Sequence, residues 1–407
     1  MKRNRIIYFM LCIGAVVLAS FYGGPVSYSI LFGLIFVALV SYIYLLVVYL
    51  FFKLYQVVQS KHITAGEPVP YYFVLQNEYL LNFCRIKTKM YSTFSYVEKM
   101  PEDNEYELLP NESARYDTKL ICRYRGEYKV GISRIIITDF LKLFSVTYNV
   151  PEPIGVVVSA RIVPLKSLRI ENNPALNSYK ENTRLSTDQD AAVRDYMPGD
   201  PQKAIHHKLS AKTGDLKTRL TYGEEKQGIA IYLDTGRISS DEYVFIPVEN
   251  KCLEIALALV NYYSGLSIPS RLEFARPGSR STAYTERQDE TGDVSFYESC
   301  RLNCSGLHEM DSFAASVSAI QFRAADDNGF MARQLLSQPS FRNCMIAFII
   351  VMKAGKELNE ALNELSVSGV TSVVYYVGYD ADVSGILDLP NQTVIPVHPE
   401  DDLTKVM

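Results

Sequence analysis

The sequence lacks a strong net charge and shows no bias towards a low-complexity composition. Its 41 basic and 45 acidic residues give a net charge of −4, which excludes a nucleic-acid binder that works by bulk electrostatics. With 18 prolines and 22 glycines among 407 residues, and 48% hydrophobic residues, the chain is neither collagen-like nor disordered. At ~150 residues per domain, this length predicts two to three domains.

Common catalytic motifs are also absent. The chain contains no Gly-x-x-x-x-Gly-Lys-Ser/Thr loop, no Gly-x-Gly-x-x-Gly, no Gly-x-Ser-x-Gly and no His-Glu-x-x-His. NTPase, dinucleotide, serine-hydrolase and zinc-protease chemistries therefore lack their usual sequence support. The seven cysteines are odd in number and widely scattered, which predicts mostly free thiols in a reducing compartment.

An uncharged segment dominates the N-terminal part of the chain. No charged side chain occurs from Ile6 to Phe52, and only a Gly-Gly-Pro turn ending at Pro25 interrupts the apolar run. Because a hydrocarbon core ~30 Å thick needs ~20 helical residues, we predict a transmembrane hairpin within residues 1–60, with spans at about 6–22 and 26–52. The alternative is a signal peptide cleaved near Ala19, although the apolar segment after Pro25 would still anchor the product.

Basic residues near the span ends predict the orientation of this hairpin. They flank the start of the first span and the end of the second, whereas the connecting turn has none. We therefore expect a multi-pass protein of the cell membrane, in contact with the lipid bilayer, with both chain ends and the soluble domains in the cytoplasm. The residues concerned are Lys2, Arg3, Arg5, Lys53 and Lys61.

Residues 62–165 have the pattern of a β-rich domain. Short runs of β-branched and aromatic residues, such as 70–75, 120–124 and 134–138, alternate with turn-forming residues and leave no room for a long helix. Strands at this spacing predict a β-sandwich. The simplest interpretation of this domain is a spacer or interaction module without chemistry of its own.

Residues 166–224 are interpreted as a linker that carries a short helix and a strand. Asp200 is a suitable N-cap, Pro201 fits the first helical position, and Gly214 can end the helix in a left-handed conformation. Cations are concentrated on this helix and its flanks, either as a solvated helix face or as a patch that faces an anion or a partner. The cations and histidines are Arg194, Lys203, His206, His207, Lys208, Lys212, Lys217 and Arg219.

This segment resembles the family called domain of unknown function 58. The family pattern runs roughly Arg-x-Tyr-x-x-Gly-Asp-x-x-Arg-x-Ile-x-Trp-Lys, with Lys203 here in place of the second Arg and His207 in place of Trp. The upstream Arg125-Gly126-x-Tyr128 and Asp139-Phe140-x-x-x-Phe144 segments resemble that family's preceding strands. The matching residues of the motif are Arg194, Tyr196, Gly199, Asp200, Ile205, Lys208, Ala211, Leu216 and Arg219.

Strands and helices alternate in residues 225–407. An apolar strand at 228–234 precedes a helix at 248–266, and further apolar strands follow at 344–352 and 371–377. Continuous apolar strands separated by amphipathic helices predict a doubly wound α/β domain with a parallel sheet. Because ligands gather at the carboxyl ends of such strands, Asp234 and Thr235 mark the candidate site.

The family resemblance implies that this last domain is von Willebrand factor type A-like. In that fold the metal site begins with Asp-x-Ser-x-Ser after the first strand, but here Gly236 and Ile238 occupy the two hydroxyl positions. A hard divalent cation needs several oxygen ligands. The sequence therefore favours a degenerate site without Mg²⁺ or Mn²⁺, in which Asp234 forms a helix cap or turn.

The leading functional hypothesis is a non-enzymatic membrane-anchored scaffold that binds another protein. The resemblance implies a MoxR-type AAA+ ATPase as the partner, in cell-envelope assembly or complex maturation. Two alternatives remain: a metal-dependent, adhesion-like ligand-binding module that uses Asp234, and an uncharacterised hydrolase. An aspartic-protease interpretation of Asp234-Thr235-Gly236 would need a second carboxylate that shares the proton, and the sequence has only one such triplet.

Overall fold

The structure is a computed structural model that describes most of the chain. The described residues are 2–98, 100, 104–150, 153–168, 193–197, 205, 207–219, 228–277, 285–288, 294–322, 330–380, 383 and 385–407. They form two compact units, Met1–Ser159 and Ala160–Met407.

The first unit begins with two apolar helices in a hairpin. Helix α1 spans Lys2–Tyr22 and α2 spans Pro25–Phe51. Gly23 has a φ of +57° in the turn between them, a conformation that glycine adopts without steric cost. Pro25 lies in the first turn of α2, where its missing N–H leaves no bond unmade. Both helices are long and apolar enough to cross a membrane, which agrees with the predicted spans.

Short strands follow α2 in the described part of the first unit, in agreement with the predicted β-rich region. They are β1 (Phe52–Val58), β2 (His62–Thr64), β3 (Pro68–Asn77), β4 (Phe83–Met90), β5 (Ser95–Val97), β6 (Glu105–Leu108), β7 (Ser113–Cys122), β8 (Gly126–Val130), β9 (Ile132–Thr138), β10 (Ser145–Asn149) and β11 (Ile154–Ser159).

These strands form sheets that enclose a single apolar core. The sheet orders are β1-β3-β7-β5, β10-β9-β4-β6 and β2-β11-β8. In β3 every second side chain points inward, so that Tyr71, Phe73 and Leu75 are buried while their neighbours are only partly covered. This alternation follows from the two-residue period of a strand. The inward side chains of all three sheets belong to one cluster.

Helix α2 contributes to the same core. Leu45 and Val48 are 1% and 0% exposed and pack with Phe52 among the buried strand residues. At ~1.5 Å per residue, the 27 residues of α2 extend ~40 Å, which exceeds the ~30 Å of a hydrocarbon core. The last third of the helix is therefore part of the folded β-rich unit.

The hairpin and the β-rich region consequently meet earlier than the predicted boundary at residues 60–62. Phe52–Val58 form β1, which pairs antiparallel with β3 from Phe52↔Asn77 to Val58↔Tyr71. The predicted second span ended at Phe52, one residue beyond the observed end of α2. The sequence concealed this junction because lipid and a protein core both require apolar side chains.

Polar contacts also join the hairpin to the loop between β9 and β10. The buried Asp139 carboxylate accepts a hydrogen bond from the Ser41 hydroxyl of α2. At the start of α1, Asn4 Nδ2 donates to the Leu141 carbonyl at 3.0 Å and Arg5 Nε donates to the Leu143 carbonyl at 2.6 Å. Both helices are thus fixed to one loop, α1 by bonds that span 137 and 138 residues and α2 by a bond that spans 98.

The second unit contains the remaining elements. Its strands are β12 (Val193–Asp195), β13 (Lys217–Arg219), β14 (Ile229–Leu233), β15 (Ser270–Pro277), β16 (Thr285–Gln288), β17 (Val294–Cys304), β18 (Ala347–Val351), β19 (Ser372–Val377) and β20 (Gln392–Val397). Its helices are α3 (His207–Thr213), α4 (Glu242–Gly265), α5 (Met310–Ser318), α6 (Phe330–Leu336), α7 (Pro339–Arg342), α8 (Lys356–Val367) and α9 (Leu403–Val406), with a 3₁₀ turn at Leu307–Glu309.

A mostly parallel sheet forms the centre of this unit, in the order β16-β17-β15-β14-β18-β19-β20. Neighbouring strands from β15 through β14 to β20 are parallel, whereas β16 and β17 form an antiparallel edge. Ile231 of β14 packs in a core with α4 and α5, and Tyr232 packs in a second core with α6 and α8. Burial on both faces explains why β14 and β18 are apolar at every position.

Two predicted boundaries in the second unit differ from the structure. The predicted sandwich extended to residue 165, but Ala160 and Val163 pack in the core of the second unit. The helix predicted at 248–266 begins at Glu242, because the Asp241 side chain accepts a hydrogen bond from Tyr243 N and acts as its N-cap. The polar stretch at 276–290 predicts a hairpin or surface loop, and it includes β16, which pairs antiparallel with β17. Strand β17 was not predicted.

The packing of α2 generates a test of the shared core. Leu45→Ala should destabilise the first unit by ~2–5 kcal/mol, because it leaves a cavity among buried side chains. Leu46→Ala is the matched control, since Leu46 is exposed on the same helix and should change stability by less than ~0.5 kcal/mol. Denaturant unfolding of the full chain in detergent measures both, and equal effects would contradict the shared core.

Candidate functional site

The candidate site lies at the carboxyl edge of the parallel sheet in the second unit. The chain runs from β14 to β15 on one side and later to β18 on the other, so the connections diverge from β14. In open α/β sheets such a switch point is the usual place for a ligand crevice. Asp234 follows β14 directly, and its N–H donates to the Ile350 carbonyl of β18 at 2.9 Å.

The side chains of Asp234 and Thr235 hold the turn after β14. Asp234 Oδ1 accepts a hydrogen bond from Gly236 N at 2.9 Å, which is the geometry of an Asx turn. The buried Thr235 hydroxyl donates to the Ala275 carbonyl of β15 at 2.6 Å. The structure therefore gives each of these residues a contact that stabilises the turn or joins two strands.

Polar residues just beyond the turn start helix α4. Ser239 Oγ accepts a hydrogen bond from Asp241 N at 3.1 Å, and Asp241 Oδ1 accepts one from Tyr243 N at 3.0 Å. Within the described residues no group of three or more His, Cys, Asp or Glu side chains is placed to hold a metal ion. That the Asp234 site binds no Mg²⁺ or Mn²⁺ stays a prediction.

Ion pairs with buried partners on α4 were missed by the sequence analysis. Arg237 Nε lies 2.8 Å from Glu249 Oε1, and the guanidinium also lies 3.7 Å above the Phe245 ring centroid. Lys251 Nζ lies 3.1 Å from Glu254 Oε2 and donates to the Asp401 carbonyl at 2.9 Å. These pairs attach the turn after β14 and the C-terminal segment to α4, so their role is structural.

Four of the seven cysteines are poor candidates for nucleophiles. All seven are free thiols. Burial raises the pKa of Cys344 to about 12, and burial also raises the pKa of Cys84, Cys122 and Cys300 above the usual value. Because the thiolate is the reactive form, these four side chains stay protonated at neutral pH.

The described residues between 193 and 219 form two short strands and a helix. β12 and β13 pair antiparallel, with Arg194 opposite Thr218 and Asp195 opposite Lys217. Tyr196 N donates to the Leu216 carbonyl at 2.8 Å and extends the pairing. Gly214 has a φ of +81° directly after α3, as predicted for the residue that ends this helix.

The structure describes the side chains of only part of the predicted cationic patch. His207, Lys208 and Lys212 are exposed on α3, whereas Lys217 pairs with the Asp195 carboxylate, which raises the pKa of Lys217. Helix α3 has seven residues, fewer than the approximately 13 that the sequence predicted. Gly199, Asp200, Pro201, Lys203 and His206 lie outside the described residues, as do the side chains of Arg194 and Arg219.

Comparison with known proteins does not identify the chain. No protein-family model and no curated protein matches it. Among solved structures, a GH20 exo-β-N-acetylglucosaminidase from Vibrio harveyi is similar in an inactive-mutant form, at 8% identity with a TM-score of 0.18. The same enzyme in complex with N-acetylglucosamine is similar at 7% identity with a TM-score of 0.17. In both cases 80% of this chain is covered, and the chain spans 57% of the length of those enzymes.

The turn geometry generates a test of the role of Asp234. Asp234→Asn keeps the oxygen that accepts from Gly236 N, so we expect stability close to that of the wild type. Asp234→Ala removes the acceptor and should cost ~1 kcal/mol. Thermal unfolding of the three proteins gives the comparison, and a loss of stability in Asp234→Asn equal to that in Asp234→Ala would show that the negative charge, not the turn, matters.

Proposed function

We propose that the chain is a non-enzymatic membrane-anchored scaffold whose soluble units bind another protein at the cytoplasmic face of a cell membrane. The observation that carries this proposal is the continuity of α2 with the β-rich unit, in which one apolar helix is lipid-compatible over most of its length and part of a folded core at its end.

The surface of the hairpin supports membrane insertion. Large apolar side chains such as Phe9, Phe32 and Phe36 are more than 60% exposed on α1 and α2. Soluble proteins rarely expose a continuous apolar surface of this kind, and a bilayer would cover it. The exposed Lys2, Arg3 and Arg5 at the start of α1 favour a cytoplasmic position for that end.

The contacts of α1 with the β-rich unit argue against removal of that helix after export. Cleavage near Ala19 would leave α2 in place, and Leu45 and Val48 of that helix belong to the core of the β-rich unit. Cleavage would also remove Asn4 and Arg5, which donate hydrogen bonds to the loop between β9 and β10. An uncleaved hairpin keeps all of these contacts.

For the fold of the two soluble parts, we favour a β-sandwich and a von Willebrand factor type A-like domain. Sheets that share one core support the first assignment. A parallel sheet in which the first strand is central and Asp234 follows it supports the second. The resemblance to domain of unknown function 58 includes both parts.

The proposed partner is a MoxR-type AAA+ ATPase, in cell-envelope assembly or complex maturation. This part of the proposal rests on the family resemblance. The exposed His207, Lys208 and Lys212 on α3 provide a cationic surface within the family motif that a partner protein can contact. His207 replaces the family Trp and is exposed, so in this chain the position faces outward.

A metal-binding module remains the second candidate, because Asp234 lies at the switch point of the sheet. Magnesium or manganese that raises the melting temperature of the wild type but not of Asp234→Asn would support this candidate against the scaffold.

Thiol labelling in intact cells tests the membrane topology. Val367 is 81% exposed on α8, and Val367→Cys should react with an impermeant maleimide only after permeabilisation. Val26→Cys, at the exposed turn of the hairpin, should react in intact cells. The unsubstituted protein provides the background from the native thiols, and the reverse labelling pattern would overturn the cytoplasmic orientation.

Charge reversal tests the partner surface. Lys208→Glu with Lys212→Glu should abolish recovery of the ATPase after crosslinking in native membranes, without a change in melting temperature. Lys353→Glu with Lys356→Glu is the matched control, because both lysines are exposed in the same unit. If the Lys208→Glu, Lys212→Glu protein still recovers the ATPase normally, these two lysines do not contact the partner and only form a solvated helix face.

A further inference from the structure

Four large apolar side chains are exposed on two loops of the first unit. Leu80 and Leu81, in the Glu78–Asn82 loop between β3 and β4, are 75% and 44% exposed. Phe140 and Phe144, in the Asp139–Phe144 loop between β9 and β10, are 44% and 36% exposed. Single exposed apolar residues are common on proteins, but a group of them on adjoining loops marks an interaction surface.

Both loops lie against the part of α2 that enters the β-rich unit. The Phe140 ring meets the Tyr44 ring edge-on with centroids 5.5 Å apart, and the Tyr44 hydroxyl donates to the Asn82 carbonyl at 2.8 Å. Phe144 meets Tyr42 in a similar edge contact at 6.2 Å. The two loops that carry the exposed side chains therefore contact the helix at the place where it leaves the folded unit.

Contacts with α1 fix the level of the Asp139–Phe144 loop along the hairpin. Asn4 and Arg5 bond to the Leu141 and Leu143 carbonyls, and the uncharged part of α1 begins at the next residue, Ile6. One residue of a helix rises only ~1.5 Å. The Asp139–Phe144 loop thus lies within a few ångströms of the point where the lipid-compatible segment begins.

The Asp139–Phe144 loop is internally bonded, so its apolar side chains are held outward. Asp139 accepts hydrogen bonds from Ser41 and, at 2.8 Å, from Phe144 N, while Lys142 N donates to the Asp139 carbonyl at 3.1 Å. Internally satisfied backbone groups lower the cost of contact with an apolar environment.

The Glu78–Asn82 loop is fixed in a comparable way. The buried Asn77 donates through Nδ2 to the carbonyls of Leu81 and Leu109, each at 2.8 Å. The Tyr79 N–H in turn donates to Asn77 Oδ1 at 2.9 Å. One buried amide therefore shapes the loop that presents Leu80 and Leu81.

We infer that these two loops are a second membrane contact, in which Phe140, Phe144, Leu80 and Leu81 insert into the interfacial layer of the lipid bilayer beside the hairpin. This inference rests on the proposed membrane anchor. Aromatic side chains are favoured at this depth, and the exposed Arg5 together with the partly exposed Lys142 matches anionic headgroups. The contact would hold the first unit on the membrane surface instead of leaving it on a tether.

Fluorescence of single tryptophans tests the contact, because the natural chain contains no tryptophan. Full-length Phe140→Trp and Leu80→Trp proteins are reconstituted into vesicles of phosphatidylcholine and phosphatidylglycerol, with and without phosphatidylcholine brominated on its acyl chains. Both emissions should shift to the blue relative to an exposed tryptophan and lose intensity with the brominated lipid.

Tyr96→Trp is the matched control within the same unit. Tyr96 is 43% exposed and lies opposite Ile121, whereas the Glu78–Asn82 loop adjoins the other end of β7 near Ser113. Its emission should not respond to bromine. Equal quenching of Phe140→Trp and Tyr96→Trp would overturn the inference.

Phe36→Trp, in the middle of α2, separates failure of the contact from failure of the anchor. Strong quenching at position 36 without quenching at positions 80 and 140 would leave the hairpin in the membrane and refute the loop contact. Absence of quenching at all three positions would refute the membrane anchor as well.

Discussion

The structure depends on one helix that satisfies two different apolar environments. Helix α2 is too long for a hydrocarbon core alone, and its last third supplies Leu45 and Val48 to the core of the β-rich unit. Each such side chain contributes ~1.5–3 kcal/mol when it is buried. Because the helix continues directly into β1, the hairpin is not followed by a flexible linker. The buried Ser41–Asp139 bond adds a polar contact that only one position of the helix relative to the loop can form.

This double role also explains what the sequence could and could not predict. The two apolar helices, their Gly-Gly-Pro turn and the end of α3 at Gly214 depend on local signals, and the sequence located them. The end of the second span was harder to predict, since no charged residue marks the change from lipid to protein core. The boundary at Ser159 was missed for the same reason, because the apolar residues on its two sides belong to different cores.

The candidate site was located by sequence, but the roles of its residues required the backbone. A carboxylate after an apolar strand predicts a position at the edge of a sheet, and Asp234 occupies it. Asp234 accepts from Gly236 N two residues on, a local turn of the kind that the sequence favoured. The bond from Thr235 to Ala275 of β15, in contrast, joins residues 40 positions apart and could not be predicted from local sequence. The ion pairs Arg237–Glu249 and Lys251–Glu254 could not be predicted either. A charged residue in a helix pattern ordinarily predicts a solvated face, whereas Glu249, Lys251 and Glu254 are buried on α4.

The structure explains the spacing of the Asp139-Phe140-x-x-x-Phe144 segment by the contacts that its residues make with α2. The sequence pattern predicts a strand for this segment, but the structure places it in the loop between β9 and β10. In the structure the acid is buried against α2, and the two phenylalanines, on either side of a tight turn, meet Tyr44 and Tyr42 of the same helix. Loss of the acid would release the loop, and loss of the aromatic rings would remove its contacts with the helix. The spacing of this pattern therefore follows from the need to close the loop around one face of α2.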